Sequence, residues 1–187
     1  MKHLLKIGQG VDVVPLLLAI QRQPNLWNRH GFRKEFDGTS HAETSDIWLR
    51  FRDEKPFKEA GDYTGFEDEH DAIWYPEWYA LQQARPIVFG LMSRVEGVRL
   101  GGVMITKIPA GGRVLPHADH GWHAKYYNTK LYVPLQSNPK CVNRVGDEHV
   151  AMAPGEIWYF DNTVEHEVVN DGPDDRITLI VCIRCEK

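Results

Sequence analysis

The spacing of apolar and polar residues changes near the middle of the chain. Val13 to Gln21 carries apolar residues at helical spacing, with Asp12 as a candidate N-cap and Pro15 in the first turn, where proline is tolerated; Pro24 ends the run. Residues 28–45 are polar and loop-like. Ile47, Leu49 and Phe51 then alternate with Trp48, Arg50 and Arg52, the period of a strand. Residues 53–73 are charged and glycine-bearing, a surface excursion, and Trp78 to Val95 reads as a helix despite Pro86. From Gly101 onward the runs become short: Val103–Ile108, Val114–Asp119, Lys130–Leu135, Cys141–Val145, His149–Met152, Ile157–Phe160, His166–Val169 and Ile177–Ile183. Turn signals such as Ala110-Gly111-Gly112, Pro154-Gly155 and Asp171-Gly172-Pro173 separate them. Short strands at such regular spacing predict a mainly β fold, a double-stranded β-helix of the jelly-roll or cupin-like kind, with N-terminal helices packed on it.

Composition narrows the class. The 187 residues are 42% hydrophobic and 26% charged, the mix of one globular domain, and roughly 70% of the unfolded surface can be buried at this length. The expected organisation is a single domain over 1–187, with a helical part bearing one or two strands over 1–100 and the jelly-roll core over 101–187. A net charge of −4 offers no electrostatic grip on nucleic acid or anionic lipid, so neither is an expected partner. The three cysteines do not read as a secreted disulfide framework. Cys182 and Cys185 sit in an apolar strand and point to opposite faces, as strand filler rather than a metal or redox pair. The apolar N-terminal run is too short to span a bilayer and no small-residue cleavage site follows it, which points to a cytoplasmic protein.

One constellation carries chemistry. His117-Ala118-Asp119 ends a strand-like run, and residues i and i+2 on a strand share a face. His166 follows 47 residues after His117, at a separation where jelly-roll strands can lie side by side. Two histidines and one carboxylate on one face of a metal leave about three open positions, the facial triad of non-haem Fe(II) oxygenases. Arg176 stands ten residues after His166, beyond a turn from Asp171 to Asp175 across which the two strands are expected to pair. Its guanidinium then points into the same barrel, deeper than the metal, where it can hold the far end of a dicarboxylate in a bidentate fork. Each feature alone is common on exposed strands; their order within an eight-strand pattern is not.

Several stretches resemble the aspartyl/asparaginyl β-hydroxylase family, a branch of the Fe(II)/2-oxoglutarate oxygenases that includes bacterial proline hydroxylases. They are Leu115-Pro116-His117-Ala118-Asp119, Leu131-Tyr132-Val133-Pro134-Leu135, Pro154-Gly155-Glu156-Ile157-Trp158-Tyr159-Phe160-Asp161, Glu165-His166-Glu167-Val168-Val169-Asn170 and Arg176-Ile177-Thr178-Leu179-Ile180-Val181. The resemblance implies a double-stranded β-helix, Fe(II), 2-oxoglutarate and O2. It implies His117 and His166 as the iron-binding histidines and Arg176 as the 2-oxoglutarate-binding arginine. It also implies a basic residue near the co-substrate, for which Lys130 is the candidate. Animal aspartyl hydroxylases carry glycine where Asp119 stands, so this chain is more similar here to the bacterial free-amino-acid hydroxylases.

The expected activity is hydroxylation of an unactivated C–H in an amino-acid side chain, on a small molecule or a peptide. His120, Trp122, His123, Lys125, Tyr126, Tyr127 and Asn128 form a polar, aromatic loop that can close over a substrate. An inward-facing Arg50 or Arg52 can hold a substrate carboxylate; facing outward, both are solvated. Two other readings stand beside this one: a metal-dependent cupin enzyme without 2-oxoglutarate, which has no need of Arg176, and a metal-free jelly-roll binding module. No G-x-S-x-G elbow, P-loop or dinucleotide-binding glycine signature is present.

Overall fold

A computed structural model describes residues 2–34 and 39–186. Eleven strands form two antiparallel sheets among these residues. The larger sheet orders β1 (Leu4–Gly8), β9 (Ile157–Phe160), β6 (Thr129–Gln136), β11 (Arg176–Cys185), β4 (Gly97–Ile108), β2 (Ser45–Arg52) and β3 (Ala72–Trp74). The smaller orders β5 (Arg113–His117), β10 (His166–Asn170), β7 (Cys141–Val145) and β8 (Glu148–Val150). The helices are α1 (Val14–Gln21), α2 (Lys55–Ala60), α3 (Pro76–Ala80), α4 (Ala84–Arg94) and α5 (Gly121–Tyr126). No helix among the described residues is long and apolar enough to cross a membrane.

Strand periodicity divides the interior into two layers. On β11, Ile177, Leu179, Val181 and Ile183 enter the main core with Leu16 and Ile20 of α1 and Val88 and Leu91 of α4. Each such buried side chain contributes roughly 1.5–3 kcal/mol. The alternate residues face the space between the sheets: Ile180 packs with Leu4, Tyr132, Val145, Met152 and Phe160, and Cys182 reaches the cavity described below. α1 and α4 thus cover one face of the large sheet and leave its other face for the site.

Four sequence expectations are corrected. The helix expected over 78–95 is two helices, because the chain turns between Ala80 and Ala84; Pro86 lies in the first turn of α4, whose amides lack helical acceptors in any case. The first hundred residues hold three whole strands rather than one or two. β10 and β11 do not pair: both edges of β11 are taken by β4 and β6, and the turn after Asn170 carries the chain from one sheet to the other. Asn170 Nδ2 fixes that crossing by donating to the carbonyls of Ile108, Pro109 and Asp174.

The fourth correction concerns β2. A bulge between Trp48 and Arg50 breaks the alternation, as an extra residue does. Phe51 lines the cavity with Trp48 edge-on against it, while Arg50 lies over the Trp74 ring and donates to the carbonyls of Leu100 and Ala72. Arg52 donates to the carbonyls of Gly65 and Asp68. Both arginines are engaged with backbone, neither free in solvent nor lining the cavity.

Candidate metal centre

His117 and His166 are direct partners in the antiparallel β5–β10 pair, and their ring centroids lie 4.3 Å apart. Each ring is oriented by its own backbone. His117 Nδ1–H donates to the Leu115 carbonyl at 2.8 Å, and His166 Nδ1–H donates to the Val164 carbonyl at 2.9 Å. A neutral imidazole whose Nδ1 carries the proton presents Nε2 as a lone pair. Burial, reinforced by the Lys130 charge, lowers His166 to about 4, so that ring is neutral and ready to ligate at neutral pH.

Asp119 supplies the third donor from outside the strand. β5 ends at His117, so the shared-face argument from sequence does not position the carboxylate. A long-range backbone bond does: Asp119 N–H donates to the Asn162 carbonyl at 2.8 Å. Asp119 Oδ1 then stands 3.5 Å from His117 Nε2 and 3.9 Å from His166 Nε2. One donor atom from each of the three residues falls within 4.8 Å of the other two. Donors around one first-row ion lie about 3 Å apart, so ligation needs these side chains to close by about 0.5–2 Å. Two imidazoles and one carboxylate suit iron, and their one-sided arrangement leaves open positions.

The other oxygen of Asp119 is occupied. Lys130 Nζ donates to Oδ2 at 2.6 Å and Asn162 Nδ2 at 2.8 Å. Burial opposes the Asp119 charge, but the Lys130 ammonium and its hydrogen bond hold the carboxyl well below its usual range. Burial likewise opposes the Lys130 charge, and Asp119 reverses that, raising the ammonium above its ordinary value.

His117 and Asp119 open onto a cavity of about 360 Å³, with His166 buried behind them. Met104, Lys130, Ile180 and Cys182 of the large sheet line it, as do His117, Asp119 and Asn162. Phe51, Phe66 and His70 line another side, His120, His123 and Ala124, in and just before α5, reach it, and Phe32, Arg33, Ser40 and His41 form a further wall. The expected loop over 120–128 is therefore largely helical, and only part of it reaches the cavity. Gly102 keeps this space open: a Cβ there would sit 2.9 Å from Phe51 and 3.2 Å from His123 Nε2.

Arg176 lies in the same interior but is not part of that cavity's lining. It is buried, donates through Nη2 to Asn143 Oδ1 at 3.1 Å and stacks over Tyr132 at 5.6 Å. Asn143 opposes Val168, two residues along β10 from His166, so this group sits about 7 Å deeper in the barrel than the second histidine. Burial disfavours the guanidinium charge, yet no carboxylate pairs with it among the described residues. Arg176 Nε and Thr178 Oγ1 are both buried without hydrogen-bond partners among the described residues. A buried cation beside an unsatisfied hydroxyl is a site suited to a carboxylate.

A family model described as aspartyl/asparaginyl beta-hydroxylase matches residues 34–185. The chain belongs to that family. This hydroxylase works with Fe(II), 2-oxoglutarate and O2. Its fold is shared with a viral collagen prolyl hydroxylase of Paramecium bursaria Chlorella virus-1, solved as a 2OG complex: TM-score 0.56, 12% identity, covering 100% of this chain and 97% of that one. It is also shared with a prolyl-4-hydroxylase of Pseudomonas putida: TM-score 0.55, 11% identity, covering 99% and 94%. A 2OG-Fe(II) oxygenase family oxidoreductase of Burkholderia pseudomallei gives TM-score 0.52 at 9% identity, covering 75% and 66%. No curated protein sequence matches the chain.

Sequence reasoning missed Asn162 and Asn143 in the hydroxylase. Asn162 precedes His166 by four residues in a polar turn, and only its long-range contacts with Asp119 mark it. Asn143 is an amide on the inward face of β7, where the burial alternation of Cys141, Asn143 and Val145 offers the single hint.

Proposed function

We propose that this hydroxylase inserts oxygen into an unactivated C–H bond of an amino-acid side chain, free or peptide-borne, at iron held by His117, Asp119 and His166. The convergence of two backbone-oriented Nε2 atoms and Asp119 Oδ1 within 4.8 Å carries this reading. When bound, iron with 2-oxoglutarate and O2 would supply the oxidation: the co-substrate would leave as CO2 and succinate, the succinate taking up one atom of O2, and the other atom would become the substrate hydroxyl.

The protein's own groups bind and orient. Arg176 takes the distal carboxylate of 2-oxoglutarate, with the Thr178 hydroxyl as a second donor from the same face of β11. A buried guanidinium with one neutral partner favours this over a cupin enzyme without 2-oxoglutarate, which gives Arg176 nothing to bind. The aromatic wall of Phe51 and Phe66 receives the apolar part of the substrate, and α5 limits water entry from above. A screen of free amino acids and short peptides with Fe(II) and 2-oxoglutarate, reading succinate and the hydroxylated product together, tests the proposal. Product-coupled succinate from an amino-acid substrate is expected; metal uptake with no 2-oxoglutarate consumption across the panel contradicts it.

A further inference from the structure

We infer that Lys130 and Asn162 clamp the second oxygen of Asp119, holding the carboxylate to one-oxygen ligation and so keeping a coordination position open. The inference rests on the iron site proposed above. It makes Lys130 a positioning residue acting on the metal through Asp119, in place of the co-substrate contact expected from sequence.

A carboxylate can bind a metal through one oxygen or two. The two oxygens of Asp119 have different surroundings. Oδ1 faces both imidazole Nε2 atoms. Oδ2 receives a short charge-assisted bond from Lys130 and a second bond from the Asn162 amide. Both donors are themselves fixed. The Lys130 side chain is 13% exposed, its ammonium lies 5.8 and 5.9 Å from the Tyr132 and Phe160 rings, and Asp119 is its one ion-pair partner among the described residues. Asn162 is bonded twice to Asp119, through its side chain and through its carbonyl.

For Oδ2 to reach the metal it has to give up at least one of these donors, because both of its lone pairs are taken. Giving up Lys130 leaves a largely buried ammonium without its counter-charge, and giving up Asn162 leaves a buried amide without its acceptor. The consequence is a coordination count. Two histidines and a one-oxygen carboxylate leave about three positions on a six-coordinate ion, two for a chelating 2-oxoacid and one for O2. A two-oxygen carboxylate leaves about two, one too few for both.

The test counts water on Mn(II) bound to the whole protein without co-substrate, by proton relaxivity, so that no turnover is needed. The wild-type site is expected to carry about three inner-sphere waters. Lys130→Met keeps the aliphatic stem and removes the charge; it is expected to lose one water, a fall of about a third in inner-sphere relaxivity, with Mn(II) bound at least as tightly because a neighbouring cation has gone. Asn162→Ala is expected to shift the count the same way by less, and it carries the test if Lys130→Met does not fold. Thermal melts of each variant report folding separately. A wild-type water count retained in the folded variants overturns the clamp. Weakened 2-oxoglutarate binding in Lys130→Met alone, with the count unchanged, also overturns it, in favour of direct co-substrate contact. If the wild type takes up no Mn(II), or His166→Ala takes up as much as the wild type, the iron site fails first and the clamp with it.

Discussion

His117 and His166, 47 residues apart in the chain, are directly opposed across β5 and β10 with their rings 4.3 Å apart. Cross-strand opposition fixes the rings relative to each other through the sheet ladder, and the Nδ1–carbonyl bonds fix their rotation. The two imidazoles are therefore oriented by the fold itself, and the proposed ligation needs only that they and Asp119 draw closer. Asp119, by contrast, is held by contacts from β6 and from the turn before β10.

Arg176 is the proposed partner of the distal carboxylate of 2-oxoglutarate. Replacing it with Met removes a charge-assisted fork worth about 1.5–3 kcal/mol, so 2-oxoglutarate affinity falls roughly 10- to 100-fold. Isothermal titration of the metal-loaded, anaerobic protein with 2-oxoglutarate checks this. An unchanged dissociation constant assigns the distal carboxylate to another residue. Stability is expected to hold or rise, because the buried guanidinium has no acidic partner among the described residues.

His123 makes stability pH-dependent. Its Nε2 accepts from Gly102 N–H at 3.2 Å, and burial, aided by the charges of His70 and Lys130, lowers the folded group from 6.5 to about 3. Below about pH 6.5 the unfolded chain takes up a proton that the folded chain refuses until about pH 3. The contribution is fully present above 6.5 and is lost as pH falls toward 3. His123→Gln keeps an acceptor and removes the titration, so its melting temperature should fall less than the wild type's between about pH 6.5 and 4.5. Parallel curves for the two proteins reject this.

Gly102 keeps the cavity open. Gly102→Val drives methyl groups toward Phe51 and His123 in a packed wall, which costs about 1–3 kcal/mol of stability. It also narrows the space beside the triad. The expected pattern is a raised KM for the amino substrate with little change in metal affinity, measured by steady-state kinetics and by metal titration. Weakened metal binding with an unaltered KM places Gly102 outside the substrate path.

Much of this molecule is legible in its sequence, for identifiable reasons. β11 shows its two faces because Ile177, Leu179, Val181 and Ile183 alternate with Arg176, Thr178, Ile180 and Cys182, and strand period survives in any sheet. The triad is legible because its residue types are chemically unusual together. What the sequence hides is pairing. Nothing local to Asp171–Asp175 says that β11 already has two neighbours, and nothing local to Trp48 announces a bulge. Asn162 is hidden for the same reason: it reads as turn chemistry until Asp119 is brought against it.

Anaerobic titration of Fe(II) into the purified protein, with His166→Ala in parallel, tests the central claim most directly. About one Fe(II) per wild-type chain is expected and, with His166 proposed as one of three donors, little or none in a His166→Ala variant that melts as a folded protein. Equal Fe(II) uptake by the two folded proteins would contradict it.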